Sequence, residues 1–96
     1  MSSPLTTPDQ FAAAVRAECD AVATMLIAKN QAYGNAALDP VRIFSRANTS
    51  EQIKVRLDDK LSRLARGSDA GEDVILDLLG YLVLLRLAEH AGEAAP

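Results

Sequence analysis

The chain has 96 residues, of which 49% are hydrophobic and 4% aromatic, and its formal net charge is −3 at pH 7. That length indicates one domain, 1–96, in which we expect 1–7 and 91–96 to be flexible. The charge excludes a general nucleic-acid binder, because no domain-wide basic field displaces counterions from phosphates. A single cysteine and a polar N-terminus without a signal-peptide core favour a cytoplasmic protein. The most apolar run, 74–85, is too short to span a bilayer, so we expect no membrane partner.

The first half of the chain predicts one long helix, a loop and a short helix. Helix 1 starts at a Thr7 cap, with Pro8 at its first position and Gln10 completing a capping box, and it runs to about Lys29. A turn-rich loop follows over 30–38, where Gly34 is suited to a positive φ. Asp39 and Pro40 then predict the start of a short helix over 41–47.

The second half predicts two further helices. Helix 2 begins at Thr49 or Ser50, with Gln52 placed for a capping box, and Gly67 ends it as a C-cap. Helix 3 begins near Asp69 and runs to about 88–90. The expected core stripes are Phe11, Val15, Val22, Met25 and Leu26 on helix 1, and Ile53, Leu57, Leu61 and Leu64 on helix 2. The predicted fold is all-α, with three main helices and one short helix packed as an oligomeric helical bundle.

Helix 3 is apolar on almost every face, which predicts that it is buried on all sides. Two other helices in so short a chain do not cover it, and a chain of this size buries only about 60–65% of its unfolded surface. We therefore expect a homo-oligomer that associates through 69–88. Gly80 in this helix favours a close approach by a neighbouring helix, although a tolerated helix glycine explains it equally well.

Asp77 is the one carboxylate inside the apolar run, and its burial is costly unless a cation, a metal or hydrogen-bond donors meet it. One interpretation is structural: Asp77 accepts a hydrogen bond from Tyr33 or pairs with Arg42, Arg56 or Lys60. The other is a Mg²⁺ site, because Asp73 lies four residues earlier on the same stripe and Asp58 on helix 2 could face the same cleft. The metal set is then Asp58, Asp73 and Asp77, with Glu18 and Glu72 as outer candidates, while Glu72 could instead cap helix 3. By contrast, Asp59 and Arg63 predict a plain surface pair.

A second candidate site combines the loop with a basic zone in the middle of the chain. The loop supplies a cation, two amides, a ring and a glycine, a set that can stack a base, read its edge and approach a phosphate. Phosphates would be met by arginine and lysine side chains. The predicted nucleotide-binding residues are Lys29, Asn30, Tyr33, Gly34, Asn35, Arg42, Arg46, Arg56 and Lys60. A surface turn anchored by Tyr33 is the competing interpretation.

Several of these segments together resemble a known family. They are Lys29-Asn30-x-x-Tyr33-Gly34-Asn35, the stretches 40–45 and 56–63, and Glu72-Asp73-x-x-x-Asp77-Leu78-x-Gly80-Tyr81-Leu82. Over roughly 25–88 the sequence resembles the nucleotide modification associated domain 1 proteins of phages and prophages, a family distantly similar to MazG-like all-α nucleotide pyrophosphohydrolases. That similarity implies Mg²⁺ on acidic helices and dimers or tetramers. The MazG-like acidic pairs at i,i+3 are not reproduced. The one such pair, Asp69 and Glu72, lies at a helix start, Asp58 and Asp59 have no acidic residue three further on, and Asp73 and Asp77 are four apart.

Three functions follow as hypotheses. The first is a Mg²⁺-dependent nucleoside triphosphate pyrophosphohydrolase with metal on the three aspartates. The second is a non-catalytic nucleotide binder that sequesters a nucleotide signal or assists DNA-base modification, with Asp77 paired to Arg or Lys. The third is a structural interaction module without a ligand.

Overall fold

The computed structural model describes residues 5–38, 43, 47–67 and 71–94, and within these ranges the chain contains helices and turns without strands. Three helices follow in order: α1 (Pro8–Tyr33), α2 (Thr49–Arg66) and α3 (Val74–Ala94). The all-α prediction with three main helices is therefore confirmed. The predicted short helix over 41–47 lies outside the described residues apart from Ile43 and Ala47. None of the described helices is both long and apolar enough to cross a membrane.

The first helix has the predicted capping box at its start. The Gln10 N–H donates to the Thr7 hydroxyl oxygen at 3.1 Å, and the Thr7 N–H donates to the Gln10 Oε1 at 3.2 Å. Its end was predicted about one turn too early, because nothing after Lys29 breaks a helix until Gly34. There φ is +63°, and the Gly34 N–H donates to the carbonyl of Asn30 at 2.9 Å. Residues 30–33 are therefore the last turn of α1 rather than a loop.

The second helix begins at Thr49 as predicted, but its cap is Asn48. The Asn48 Oδ1 accepts from the Glu51 N–H at 2.8 Å, so the predicted capping by Thr49 or Ser50 with Gln52 is wrong by one residue. The Thr49 hydroxyl instead donates to the carbonyl of Leu38 at 3.4 Å, which ties α2 to the turn after α1. Gly67 ends the helix with φ +67°, as expected.

The third helix begins later than predicted, at Val74 rather than near Asp69. Asp73 caps it: its Oδ1 accepts from the Leu76 N–H at 2.9 Å. Several acidic residues precede the apolar run, and Asp73, directly before it, is the one that caps the first turn of α3. At the other end, α3 continues to Ala94, so residues 91–94 are helical although the sequence predicted a flexible tail.

The central element of the packing is α3. The α2 and α3 helices form an antiparallel hairpin, and α1 crosses α3 without approaching the α2 backbone within the described residues. The crossing sits at Gly80, where an added Cβ would lie 2.7 Å from the Met25 Cε and 3.2 Å from the Leu26 Cδ2. The predicted close approach at Gly80 is therefore present.

Within the single chain, far fewer apolar residues are buried than the core stripes of helices 1 and 2 predicted. The buried apolar residues among those described are Val22, Ile53 and Val74, and none of them is completely inaccessible to solvent. Several of the predicted core residues have large exposed fractions: Phe11, Val15, Leu61 and Leu64. On α3 itself, Ile75, Leu82 and Leu87 are also exposed, so the prediction that this helix is buried on all sides does not hold within one chain.

The crossing at Gly80 makes a first prediction. A Gly80→Leu substitution crowds the Met25 and Leu26 side chains at the crossing. It should lower the free energy of unfolding by about 1–3 kcal/mol, because overpacking outweighs the better helix propensity of leucine. Urea denaturation followed by circular dichroism measures this. Adding Met25→Ala to Gly80→Leu should recover part of the loss, since it removes the nearest atom; unchanged stability of Gly80→Leu would contradict the close packing.

Candidate functional site

Two lysines from two different helices meet the Asp77 carboxylate. The Lys60 Nζ on α2 lies 3.2 Å from one carboxylate oxygen, and the Lys29 Nζ on α1 lies 3.7 Å from the other. The Asp77 side chain is 20% exposed and that of Lys60 only 13%, so this pair is largely shielded from water. The structural interpretation named Lys60 among its alternatives, and the geometry agrees with it. Lys29 is a second partner that sequence reasoning did not pair with Asp77.

The pair belongs to a longer row of alternating charges, here called the ionic chain. The Lys60 Nζ also donates to the Glu72 Oε2 at 2.9 Å, and the Arg63 Nη1 lies 3.4 Å from the same oxygen. Arg63 in turn pairs with Asp59 at 3.2 Å, which confirms the predicted surface pair. The ionic chain therefore runs through Asp59, Arg63, Glu72, Lys60, Asp77 and Lys29. It joins α2, the entry to α3, α3 itself and α1.

The charges at the centre of the ionic chain stabilise one another. The hydrogen bond to Glu72, and then that to Asp77, raises the pKa of Lys60 above its ordinary value of 10.5, although burial opposes the change. The same hydrogen bond lowers the pKa of Glu72 below its ordinary value of 4.5. Both groups therefore remain charged across the physiological pH range. Glu72 binds Lys60 and does not cap α3.

Beside the ionic chain, a groove opens between α1 and α2 with α3 as its floor. Its volume is about 510 Å³, within the range of small-molecule sites. We call it the Asp77 groove. Its polar lining residues are Lys29, Asn30 and Tyr33 from α1, Gln52 and Arg56 from α2, and Asp77 and Tyr81 from α3. Met25, Leu26, Ile53 and Leu84 give it an apolar base.

The structure brings together much of the predicted nucleotide set. Lys29, Asn30, Tyr33 and Arg56 line the Asp77 groove, and Lys60 lies behind Asp77. Gly34 and Asn35 form the turn that ends α1, both with φ +63°, and do not line the groove. Arg42 and Arg46 lie outside the described residues.

Sequence reasoning missed two polar side chains of the groove. Gln52 stands one helical turn before Arg56, and Tyr81 stands one turn after Asp77. That i,i+4 spacing places each on the same helix face as a residue already singled out, and it is the signal that could have found them.

The three aspartates predicted to hold Mg²⁺ each have a different position and a different contact in this arrangement. Asp73 uses its carboxylate to cap α3, Asp77 faces two lysines, and Asp58 is exposed on α2. Across residues 5–38, 43, 47–67 and 71–94, no three His, Cys, Asp or Glu side chains gather as metal ligands. Of the outer candidates, Glu72 is bound by Lys60, and Glu18 lies on a different face of α1.

Comparison with known proteins adds no relative to this geometry. No family model, no curated protein and no solved structure matches the chain. The interpretation of the Asp77 groove therefore depends on the chemistry of its own residues.

We expect Lys60 to contribute more to the free energy of unfolding than an exposed lysine does. A Lys60→Met substitution keeps the side-chain length but leaves Asp77 and Glu72 without their nearest cation, so the free energy of unfolding should fall by about 1–3 kcal/mol. Lys54→Met is the matched control, because Lys54 pairs with Glu51 at 3.5 Å on the surface and should cost less than about 1 kcal/mol. Equal losses of stability in chemical denaturation would show that the partly shielded Lys60 pairs contribute no more than a surface pair.

The pairing also predicts an acid limb in the stability profile. In the folded protein the pKa of Glu72 lies below its ordinary value of 4.5. The stabilisation that its charge gives to the folded state is therefore fully present above pH 4.5, and it disappears as the pH falls through the folded pKa. The difference in melting temperature between wild type and Glu72→Gln should therefore be largest above pH 4.5 and shrink on acidification. The charge of Lys60 affects the alkaline limb instead. Because its pKa is raised in the folded protein, the stability that it contributes is lost only above pH 10.5.

The control for this titration is Glu51→Gln, which removes an exposed carboxylate whose nearest cation is 3.5 Å away. It should change the melting temperature less than Glu72→Gln at every pH above 4.5. A gap between wild type and Glu72→Gln that widens as the pH falls would contradict the assigned pairing.

Proposed function

We propose that the chain binds a nucleoside phosphate in the Asp77 groove and that it does so as a homo-oligomer. The observation that carries the binding proposal is the convergence of two cations, two tyrosine rings and two side-chain amides from three helices on one open groove. A nucleotide presents the matching chemistry: an anionic phosphate, a flat base with a polar edge, and a sugar. It is also the ligand class that the resemblance stated for the sequence would imply.

The cations in and beside the groove differ in how strongly they are already paired with carboxylates of the protein. Lys29 is 58% exposed, and its contact with Asp77 at 3.7 Å is longer than a hydrogen bond, so it can turn toward a ligand at small cost. Arg56 makes no ion pair with any described residue, and its guanidinium offers the fork geometry that matches a phosphate. Lys60, held at 2.9 Å by Glu72, remains structural. We therefore assign phosphate binding to Lys29 and Arg56.

The rings and amides supply the contacts for a base. Tyr33 lines the groove and is 71% exposed, so its ring is accessible to a ligand. Base stacking on an aromatic ring is worth about 1–3 kcal/mol. Asn30 on α1 and Gln52 on α2 each carry a donor and an acceptor, which suits the hydrogen-bonding edge of a base.

A second candidate is hydrolysis of the bound nucleoside triphosphate, and the Asp77 carboxylate in the groove is the observation that favours it. The distant similarity to MazG-like pyrophosphohydrolases implies the same reaction with Mg²⁺. The carboxylates would first have to leave their present partners, so we rank binding without turnover above catalysis. Release of pyrophosphate from a (d)NTP panel with Mg²⁺, absent in Asp77→Asn, would reverse that order.

Calorimetry with a graded set of ligands tests the binding proposal. The set contains inorganic phosphate, pyrophosphate, nucleosides, and mono-, di- and triphosphates of each base, all with EDTA. Nucleotides should bind more tightly than either phosphate or nucleoside alone. Arg56→Gln and Tyr33→Ala should each weaken binding roughly 10-fold or more, because each removes a charge-assisted hydrogen bond or a stacking surface.

The matched controls are Arg66→Gln and Lys54→Gln, which remove exposed cations of α2 outside the groove. They should leave the dissociation constant within about 3-fold of wild type, because more distant surface charges are screened. If no nucleotide binds, or if the controls weaken binding as much as Arg56→Gln, the Asp77 groove is not the site.

A further inference from the structure

Two grooves flank α1, and they differ in charge. A second groove, on the other side of α1 from the Asp77 groove, has a volume of about 710 Å³ and is lined by apolar side chains apart from Glu18 and the thiol of Cys19. No cation is among its described lining residues. The Asp77 groove holds two cations and a carboxylate, so a phosphorylated ligand suits that groove and has to fit around the carboxylate.

The two oxygens of the Asp77 carboxylate have different surroundings. Oδ2 lies 3.2 Å from the Lys60 Nζ, and Lys60 does not belong to the lining of the groove. Oδ1 lies 3.7 Å from the Nζ of Lys29, and Asp77 and Lys29 both line the groove. Oδ1 is therefore the oxygen on the groove side, and Lys29 approaches it without reaching hydrogen-bond distance. This oxygen can still accept a hydrogen bond from a ligand.

The chemistry of this oxygen restricts what can lie against it. An ionised carboxylate accepts hydrogen bonds and has none to donate, so it repels a phosphate and binds an O–H or N–H group. A nucleotide carries such donors on its sugar and on its base. Lys29, to which we assign the phosphate, is the direct neighbour of Oδ1, so the donor on Oδ1 lies close to the phosphate. Because the sugar links the phosphate to the base, that donor is a sugar hydroxyl.

We propose that the Asp77 Oδ1 accepts a hydrogen bond from a sugar hydroxyl of the bound nucleotide while Lys29 turns to the phosphate. The inference rests on the proposed function and deepens it, because it makes a hydroxyl-bearing sugar a required part of the ligand. A hydrogen bond to a charged group is roughly twice as strong as one between neutral groups, so Asp77 contributes more to this selection than Asn30 or Gln52. Lys60 holds Oδ2, which leaves Oδ1 available to the ligand.

The unmodified protein tests this selection with three sugars. Calorimetry in EDTA compares the ribo, deoxy and dideoxy forms of the nucleoside triphosphates of adenine, guanine, cytosine and uracil. The dideoxy form should bind roughly 10-fold or more weakly than the ribo form of the same base, because it leaves a charged acceptor without its hydrogen bond. The step at which the affinity falls, from ribo to deoxy or from deoxy to dideoxy, identifies the hydroxyl that Asp77 binds.

A pair of matched aspartate substitutions tests the acceptor. The readout is the ratio of the dideoxy to the ribo dissociation constant, which a purely structural role of Asp77 would not change. In Asp77→Asn this ratio should fall at least about 3-fold, because a neutral amide oxygen makes the weaker hydrogen bond. Asp20→Asn should keep the wild-type ratio, since Asp20 is exposed on α1 outside the lining of both grooves. The wild-type series remains decisive if Asp77→Asn does not fold.

Lys29→Met separates the phosphate contact from the hydroxyl contact. It should weaken the binding of every triphosphate and leave the ratio between dideoxy and ribo forms unchanged, because different side chains make the two contacts. A ratio that disappears in Lys29→Met would assign the hydroxyl to Lys29 and overturn the role of Asp77.

The remaining outcomes separate this inference from the proposed function. Triphosphates that bind the wild-type protein equally well with all three sugars would overturn the inference and leave nucleotide binding in place. A dependence on the base alone that Asp77→Asn removes would also overturn it, because Asp77 would then accept from the base. If none of the triphosphates binds, the proposed function and the inference are both wrong.

Discussion

The Lys60 ammonium group, held between Glu72 and Asp77, is the interaction on which the arrangement of this chain depends. Asp77 lies in an apolar helix with only 20% of its side chain exposed, and Lys60 supplies the nearest opposite charge. Because Lys60 also binds Glu72, directly before the Asp73 cap, it links α2 both to α3 and to the segment that enters α3. The second Asp77 oxygen then faces Lys29, which orients the last turns of α1.

The same helix accounts for both grooves. An α3 that is apolar on nearly all faces has two intramolecular neighbours, and α1 meets it at one crossing, over Gly80. A single crossing leaves open space on either side of α1. On the side of the ionic chain the walls carry Lys29, Arg56 and the two tyrosines, so that space suits an anionic, aromatic ligand. On the other side the walls carry small and branched apolar residues, so that space suits only another apolar surface.

Local signals in the sequence predicted the start of α1 and both ends of α2. Thr7 with Gln10, and Gly67, act within one turn of their own positions, whereas Gly34 was predicted to have a positive φ but not to end α1. The start of α3 was not predicted, because Asp69 and Asp73 carry the same capping side chain. The cation that pairs with Asp77 could not be chosen from the sequence. Several cations lie along α2, and which of them faces Asp77 depends on how α2 packs against α3. Asp58, Asp73 and Asp77 were grouped as a metal set from their spacing on helices, whereas Asp73 lies before α3 and accepts a hydrogen bond from its first turn. The metal set itself stays a prediction.

Leu26 lies at the α1 crossing and lines both the Asp77 groove and the second, apolar groove on the other side of α1. A shift of α1 against α3 therefore changes the width of both spaces together. Because one leucine is shared by two surfaces, neither surface can be reshaped by moving α1 without altering the other.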